Sequence, residues 1–148
     1  MNEQLQVVSS SPTHLLHRAG QIADDLFSGA IGDLGLTARQ YVVLSTVDGL
    51  EDPSQTTLCE ISGIDRSTLA EVVRRLVGRG LLTRRRTRSD ARMYAVRITP
   101  EGKGVLEKAQ PIARTVDAAV LEALTEAERE TFGHLLRKVV SRSDVLEE

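Results

Sequence analysis

From Pro12 onward the apolar residues recur at helical spacing. Leu15, Ala19, Ile22 and Leu26 fall on one stripe, flanked by Leu16, Ala23 and Phe27, which predicts an amphipathic helix. Ser11 is placed to cap it and Pro12 suits its first turn. Gly29, Gly32 and Gly35 end it. A second helix is predicted from Thr37, where Thr37 and Gln40 fit a capping box and Tyr41, Leu44 and Val47 form the buried stripe. Asp48-Gly49 and Asp52-Pro53 mark the turn after it. A short third helix from about Ser54 to Ser62, capped by Ser54, would bury Leu58 and Ile61 before Gly63 breaks it. Asp65 then caps a fourth helix that lasts to about Gly78 and is closed by Gly80. Residues 1–11 are polar, with Ser9-Ser10-Ser11, and are predicted to form a flexible segment.

Two strand-like runs follow. Leu81-Leu82-Thr83-Arg84-Arg85-Arg86 is the first. Tyr94-Ala95-Val96-Arg97-Ile98 alternates with period two and is the second, with the Tyr94 ring expected to pack under the hairpin. Thr99-Pro100-Glu101 opens a long helix whose apolar face is traced by Val105, Ala109, Ile112, Val116 and Val120, with a kink expected at Pro111. Thr125 and Glu128 fit another capping box, and Phe132, Leu135, Leu136, Val139 and Val140 are expected inside the last helix.

The order helix, turn, helix, hairpin in the middle of the chain is that of a winged helix-turn-helix. The fold class is therefore mainly α with a small β-hairpin wing, flanked by helices from both ends of the chain. A single domain is expected over 12–148, with the winged lobe at about 36–100 and flanking helices at about 12–30 and 100–142. The flanking stripes carry more apolar surface than the small lobe can cover, which predicts a homodimer.

The chain has 148 residues with 41% hydrophobic and 27% charged residues, ordinary values for a soluble protein with a real core. No apolar run approaches the ~20 residues a membrane span needs. The start of the chain lacks the basic and apolar stretches of a signal peptide. A cytoplasmic protein with no membrane partner is expected. The one cysteine, Cys59, excludes an internal disulfide and a multi-cysteine zinc cluster. The net charge of −2 conceals a strong asymmetry. Between Gly63 and Lys103 stand eleven Lys/Arg and four acids, a net +7, whereas the remainder holds eight basic and seventeen acidic residues, a net −9. A basic block inside an acidic chain is the footprint of a nucleic-acid surface. Aromatic residues make up only 3% and tryptophan is missing. Single-strand binders stack bases on aromatic side chains, so duplex DNA is the expected partner.

At 100° per residue the fourth predicted helix gathers Leu69, Val72, Val73, Leu76 and Val77 on one side. Ser67, Glu71, Arg74 and Arg75 point roughly opposite. A major groove admits one α-helix, and side chains of these types reach base edges and phosphates. Arg66, Ser67 and Thr68 sit in the first turn, where the helix terminus also favours phosphate. Arg86, Arg88, Asp90 and Arg92 extend the candidate surface into the hairpin.

The run Asp90-Ala91-Arg92, then Val96, Ile98-Thr99 and Gly102, resembles the wing signature of the MarR family of transcriptional regulators. Leu58 to Ile61 followed by Gly63-Ile64-Asp65-Arg66-Ser67-Thr68-Leu69 is similar to that family's helix-turn-helix, as Gly80-Leu81-Leu82 with Arg84 is to its approach to the wing. Leu124-Thr125-Glu126-Ala127-Glu128-Arg129 is similar to the start of its last helix. Together the matches cover about residues 12–142. The resemblance implies a homodimer with two winged lobes, binding a pseudo-palindromic operator, repressing nearby genes and released by a small effector, often aromatic. It also implies that Asp90 holds Arg92 and that Arg92 enters the minor groove, where a narrow groove concentrates negative potential. Cys59 departs from the alanine the family often has there.

Cys59 reads as a small packing residue, since no second cysteine is present to resolve an oxidised one. His14, His17 and Arg18 share a helix face. The resemblance implies a ligand crevice where the first, second and long fifth helices meet the lobe. That makes these three and Tyr41 candidate contacts for an aromatic acid or its thioester, with plain interface or core polar residues as the alternative. No further ligands cluster there for a metal site. No Gly-rich phosphate loop, H-E-x-x-H or G-x-S-x-G motif is present, so neither a cofactor nor an enzyme activity is expected. The alternative within the same fold is a winged-helix protein-interaction module, which would not need so many arginines on one segment. The effector, the operator and the sign of regulation are not readable from the residues.

Overall fold

The structure, a computed structural model, describes residues 3–87 and 94–141. In chain order the elements are α1 (Glu3–Ser10), α2 (Pro12–Ile31), a 3₁₀ turn (Gly32–Leu34), α3 (Ala38–Asp48), α4 (Gln55–Ser62), α5 (Arg66–Gly78), β1 (Leu82–Arg86), β2 (Tyr94–Ile98), α6 (Pro100–Val120) and α7 (Glu126–Ser141). The expected winged helix-turn-helix stands at its centre.

The helix starts follow the predicted capping chemistry. Side chains of Ser11, Thr37, Ser54, Asp65 and Thr99 each accept a hydrogen bond from a first-turn backbone N–H. Thr37 and Gln40 close a full capping box. At α7, Thr125 N donates to Glu128 Oε2 at 2.8 Å, and Glu128 N donates to Thr125 Oγ1 at 3.3 Å. Such caps satisfy donors that the helix itself leaves open.

One core ties the lobe to the long helices. Val43 and Leu44 of α3, Leu58 of α4, Leu69, Val73 and Leu76 of α5, Leu82 and Val96 of the hairpin and Leu106 and Ala109 of α6 are all buried, with Phe27 and Ile31 of α2 at one margin. α2 lies along α6.

The strands pair antiparallel, from Leu82 opposite Ile98 to Arg86 opposite Tyr94. The chain before α4 joins them: Val96 N donates to the Pro53 carbonyl at 2.9 Å, and Ser54 bridges Ala95. This third segment buries Ala95 beside Val96 and breaks the expected alternation. Tyr94 sits at the far end of the hairpin, beyond the core, and is exposed rather than packed beneath it.

Four further expectations are corrected. Residues 3–10 form helix α1, although none of its residues is buried. Ile61, expected inside, is 57% exposed, because α4 is only two turns long and turns a single apolar residue, Leu58, fully inward. The buried row of α6 is Gly102, Leu106, Ala109, Ala113 and Val116, so Val105, Ile112 and Val120 flank the contact instead of centring it. Small residues face the closest packing, and a search for bulky periodicity misses them. Finally, α7 buries none of its residues: Leu135, Val139 and Val140 are 51%, 55% and 66% exposed. Pro111 lies within a helix that continues from Pro100 to Val120.

The first turn of α6 docks against the end of β1. Thr99 N donates to the Leu81 carbonyl at 3.1 Å, Thr99 Oγ1 donates to the Gly80 carbonyl at 2.6 Å, and Gly102 N donates back to Thr99 Oγ1 at 3.0 Å. A Cβ at Gly102 would overlap the Leu81 carbonyl oxygen and stand 2.8 Å from Ile98 Cγ1. Only glycine permits this approach.

Candidate nucleic-acid interface

The second helix of the helix-turn-helix is built as a two-faced element. Leu69, Val72, Val73 and Leu76 are buried against the lobe. Arg66, Ser67, Arg74 and Arg75 are exposed, and Glu71 is half-buried among them. Gly63, at φ 67°, ends α4, and Asp65 starts α5 two residues later. The tight turn follows from that pair, since left-handed backbone is cheap only for glycine.

Asp65 organises the first turn. Its Oδ1 accepts from Thr68 N at 2.9 Å and from Ser67 Oγ at 2.8 Å. The hydrogen bonds from Thr68, with those from Ser67, lower its carboxyl to about 2. Further along, Glu71 Oε1 accepts from Arg74 Nη2 at 2.8 Å and Arg75 Nε at 2.7 Å, and Oε2 accepts from Arg74 Nε at 2.9 Å. The hydrogen bonds from Arg74 and Arg75 hold the Glu71 carboxyl at about 2.

In the hairpin, Arg86 Nε donates to the Tyr94 hydroxyl at 3.3 Å, with its guanidinium 5.8 Å from the ring centroid. Tyr94 thus supports an exposed arginine on the wing. Arg84 and Arg85 are also exposed. Arg97 forms a two-pronged ion pair with Asp52, which anchors β2 to the turn after α3. Arg88, Asp90 and Arg92 lie outside the described residues.

A cleft of 590 Å³ opens between α2, α3 and α5. It is lined by Asp24, Ser28, Thr37, Arg39, Gln40, Ser67, Thr68, Glu71 and Arg75, among others. The cleft adds Arg39 to the cationic side of the lobe. Sequence reasoning passed over Arg39 because a lone arginine in a capped first turn carries no pattern. The four candidate ligand contacts are placed differently. His14, His17 and Arg18 are exposed along the first half of α2. Tyr41 is half-buried, its ring centroid 5.7 Å from that of Phe27. None of the four lines the cleft. Cys59 is half-buried, and burial pushes its thiol up, which disfavours the reactive thiolate. Among the described residues no group of three or more His, Cys, Asp or Glu is placed to hold a metal ion, and no helix is long and apolar enough to cross a membrane.

A recognition helix with a polar, cationic outer face, set between a scaffold helix and an arginine-bearing wing, defines a winged helix-turn-helix DNA-binding protein. Comparison with known proteins agrees. The model of the MarR family matches residues 34–93. The transcriptional regulator HosA of Escherichia coli is 36% identical over 106 residues, covering 72% of this chain and 78% of HosA. Among solved structures, PcaV of Streptomyces coelicolor, a transcriptional regulator in complex with its natural ligand, superposes with a TM-score of 0.86 at 32% identity over 92% of this chain and 96% of PcaV. BpsR of Bordetella bronchiseptica, whose DNA binding is regulated by 6-hydroxynicotinic acid, gives 0.84 at 32% identity over 90% of this chain and 96% of BpsR. The chain belongs to the MarR family of transcriptional regulators and is not an enzyme.

Proposed function

We propose that this regulator binds a pseudo-palindromic duplex as a homodimer, represses the gene it covers, and releases DNA when a small aromatic acid or its thioester binds. The reading rests above all on α5, whose outer face offers Ser67, Thr68, Arg74 and Arg75 with no share in the core. In this reading α5 enters the major groove, Arg66 to Thr68 meet phosphates, and Arg86, Arg88 and Arg92 follow the adjacent backbone and minor groove, with Asp90 orienting Arg92. The effector class is supported by the aromatic acid that regulates BpsR. Arg18, with His14 and His17 on the same helix face, is the proposed carboxylate anchor.

The test is a titration of labelled duplex at three salt concentrations. The duplex is selected by the wild-type protein from a random library. Arg92→Ala is expected to weaken binding by on the order of 1–3 kcal/mol and to reduce the salt slope by about one. Asp90→Ala acts in the same direction but less. If Arg92→Ala binds with unchanged affinity and slope, the wing is not in the groove. If the wild type selects no duplex and leaves heparin without salt dependence, the interaction-module reading replaces this one. For the effector, an aromatic acid that releases wild-type protein from the duplex should fail to release Arg18→Ala. An unchanged response removes Arg18 as the anchor.

A further inference from the structure

The cluster of Glu71, Arg74 and Arg75 is unusual for a surface meant to meet a polyanion, because it carries a carboxylate at its centre. The pairs contribute little to folding: side-chain exposures are 67% for Arg74, 63% for Arg75 and 43% for Glu71, and solvent screens ion pairs that exposed. The helix is already held by its Asp65 cap and its buried stripe. The effect of Glu71 is therefore on what the two arginines present.

The contacts treat the arginines unequally. Arg74 gives the carboxylate its Nε and Nη2, a two-pronged bond along one edge of the guanidinium. Arg75 gives only its Nε. A guanidinium has five N–H donors. Arg75 keeps both terminal nitrogens, the fork that matches a guanine edge or a phosphate. Arg74 gives up its whole Nε–Nη2 edge to the carboxylate and keeps only the outward edge of its two terminal nitrogens, so it is held by two bonds where Arg75 is held by one. The carboxylate also cancels one of the two positive charges, and at about 2 its carboxyl is ionised throughout the neutral range.

We infer that Glu71 is a specificity-determining, positioning residue of the DNA interface: it fixes Arg75 with its terminal fork free, and it holds Arg74 and one unit of charge back from indiscriminate phosphate binding. Glu71 does not itself read a base. A nonspecific duplex has to break the Glu71 bonds before it gains a second cation. A matched duplex uses Arg75 as it stands. The inference rests on the proposed placement of α5 in the groove, and the experiment separates the two.

Wild type, Glu71→Gln, Glu71→Ala and Glu71→Asp are titrated against the duplex selected by the wild type and against a shuffled duplex of the same composition. A thermal melt of each variant checks the fold. Glu71→Ala and Glu71→Gln are expected to bind the shuffled duplex about threefold or more tighter, with the salt slope steeper by about one. The selected duplex should gain less, so the ratio of the two affinities falls. Glu71→Asp keeps the charge and should restore the wild-type slope. The inference fails if both neutral variants leave shuffled-duplex affinity and slope unchanged. It also fails if they lose affinity for the selected duplex alone, the result expected of a carboxylate that accepts from a base. A wild type that prefers no duplex overturns the proposed function and this inference together.

Discussion

Asp65 carries two roles at one position, capping α5 and ordering Ser67 and Thr68 in the first turn. Asp65→Ala should lower the melting temperature by a few degrees and weaken duplex binding, whereas Asp65→Asn or Asp65→Ser should recover most of both. The pH dependence has a definite sign. The Asp65 carboxyl lies at about 2 against an ordinary 3.8. It is depressed in the folded state, so the contribution of the cap is complete above the ordinary value and is lost as pH falls from there through about 2. Melting temperature should therefore fall over that window, and less steeply in Asp65→Ala. An equally steep fall in the variant would mean that the cap does not couple to folding. These residues were legible in advance for a simple reason: a cap and an outer helix face are set by local spacing. The acid–arginine contacts were not, because spacing permits the pairs without saying which guanidinium edge each one uses.

At the scale of elements, the wing signature divides into parts with different duties. Ile98, Thr99 and Gly102 are packing residues: they dock the first turn of α6 on Leu81 and leave no room for a Cβ at position 102. Gly102→Ala should destabilise the protein by about 1–3 kcal/mol, the usual range for overpacking, and calorimetry would show it as a lowered melting temperature. Binding of duplex below that temperature should persist, which separates Gly102 from Arg92. A melt indistinguishable from wild type would show that α6 can shift without loss. Among the described residues, the sequence pattern located every α-helix from Pro12 on and both strands, because caps, glycines and bulky apolar periodicity are strong local signals. It misplaced the inner faces of α6 and β2. Those faces are decided by neighbours distant in the chain, the Pro53–Ser54 segment beside Ala95 and the close packing of small residues along α6. Helix α1 escaped notice because only Leu5, Val7 and Val8 give it an apolar side.

On the scale of the whole molecule, the distribution of exposed apolar side chains argues for a second copy of the chain. Among the described residues, ten of the fourteen large exposed apolar side chains belong to α1, α2 and α7, the helices nearest the two ends of the sequence. Leu15, Leu16, Ile22 and Leu26 of the α2 stripe, which was expected to need a partner, and Leu135, Val139 and Val140 on α7, which were expected inside, are not buried by the chain's own fold. Apolar surface gathered this way marks a contact still to be made. A two-fold pair of winged lobes is also what a pseudo-palindromic duplex requires. Light scattering at micromolar concentration should therefore return twice the 16.2 kDa mass of the chain. The double variant Leu135→Asp with Val139→Asp should return 16.2 kDa, since each change places an unpaired charge in the joint. Affinity for the selected duplex should fall by about tenfold or more, because two lobes then bind as separate molecules rather than at one effective concentration. Circular dichroism of the variant should keep its helical signal, as both residues stand outside the core of the lobe. A wild type found as a stable monomer, or a double variant that still forms the dimer, would place the joint elsewhere and leave the apolar faces of α2 and α7 without a role in DNA binding.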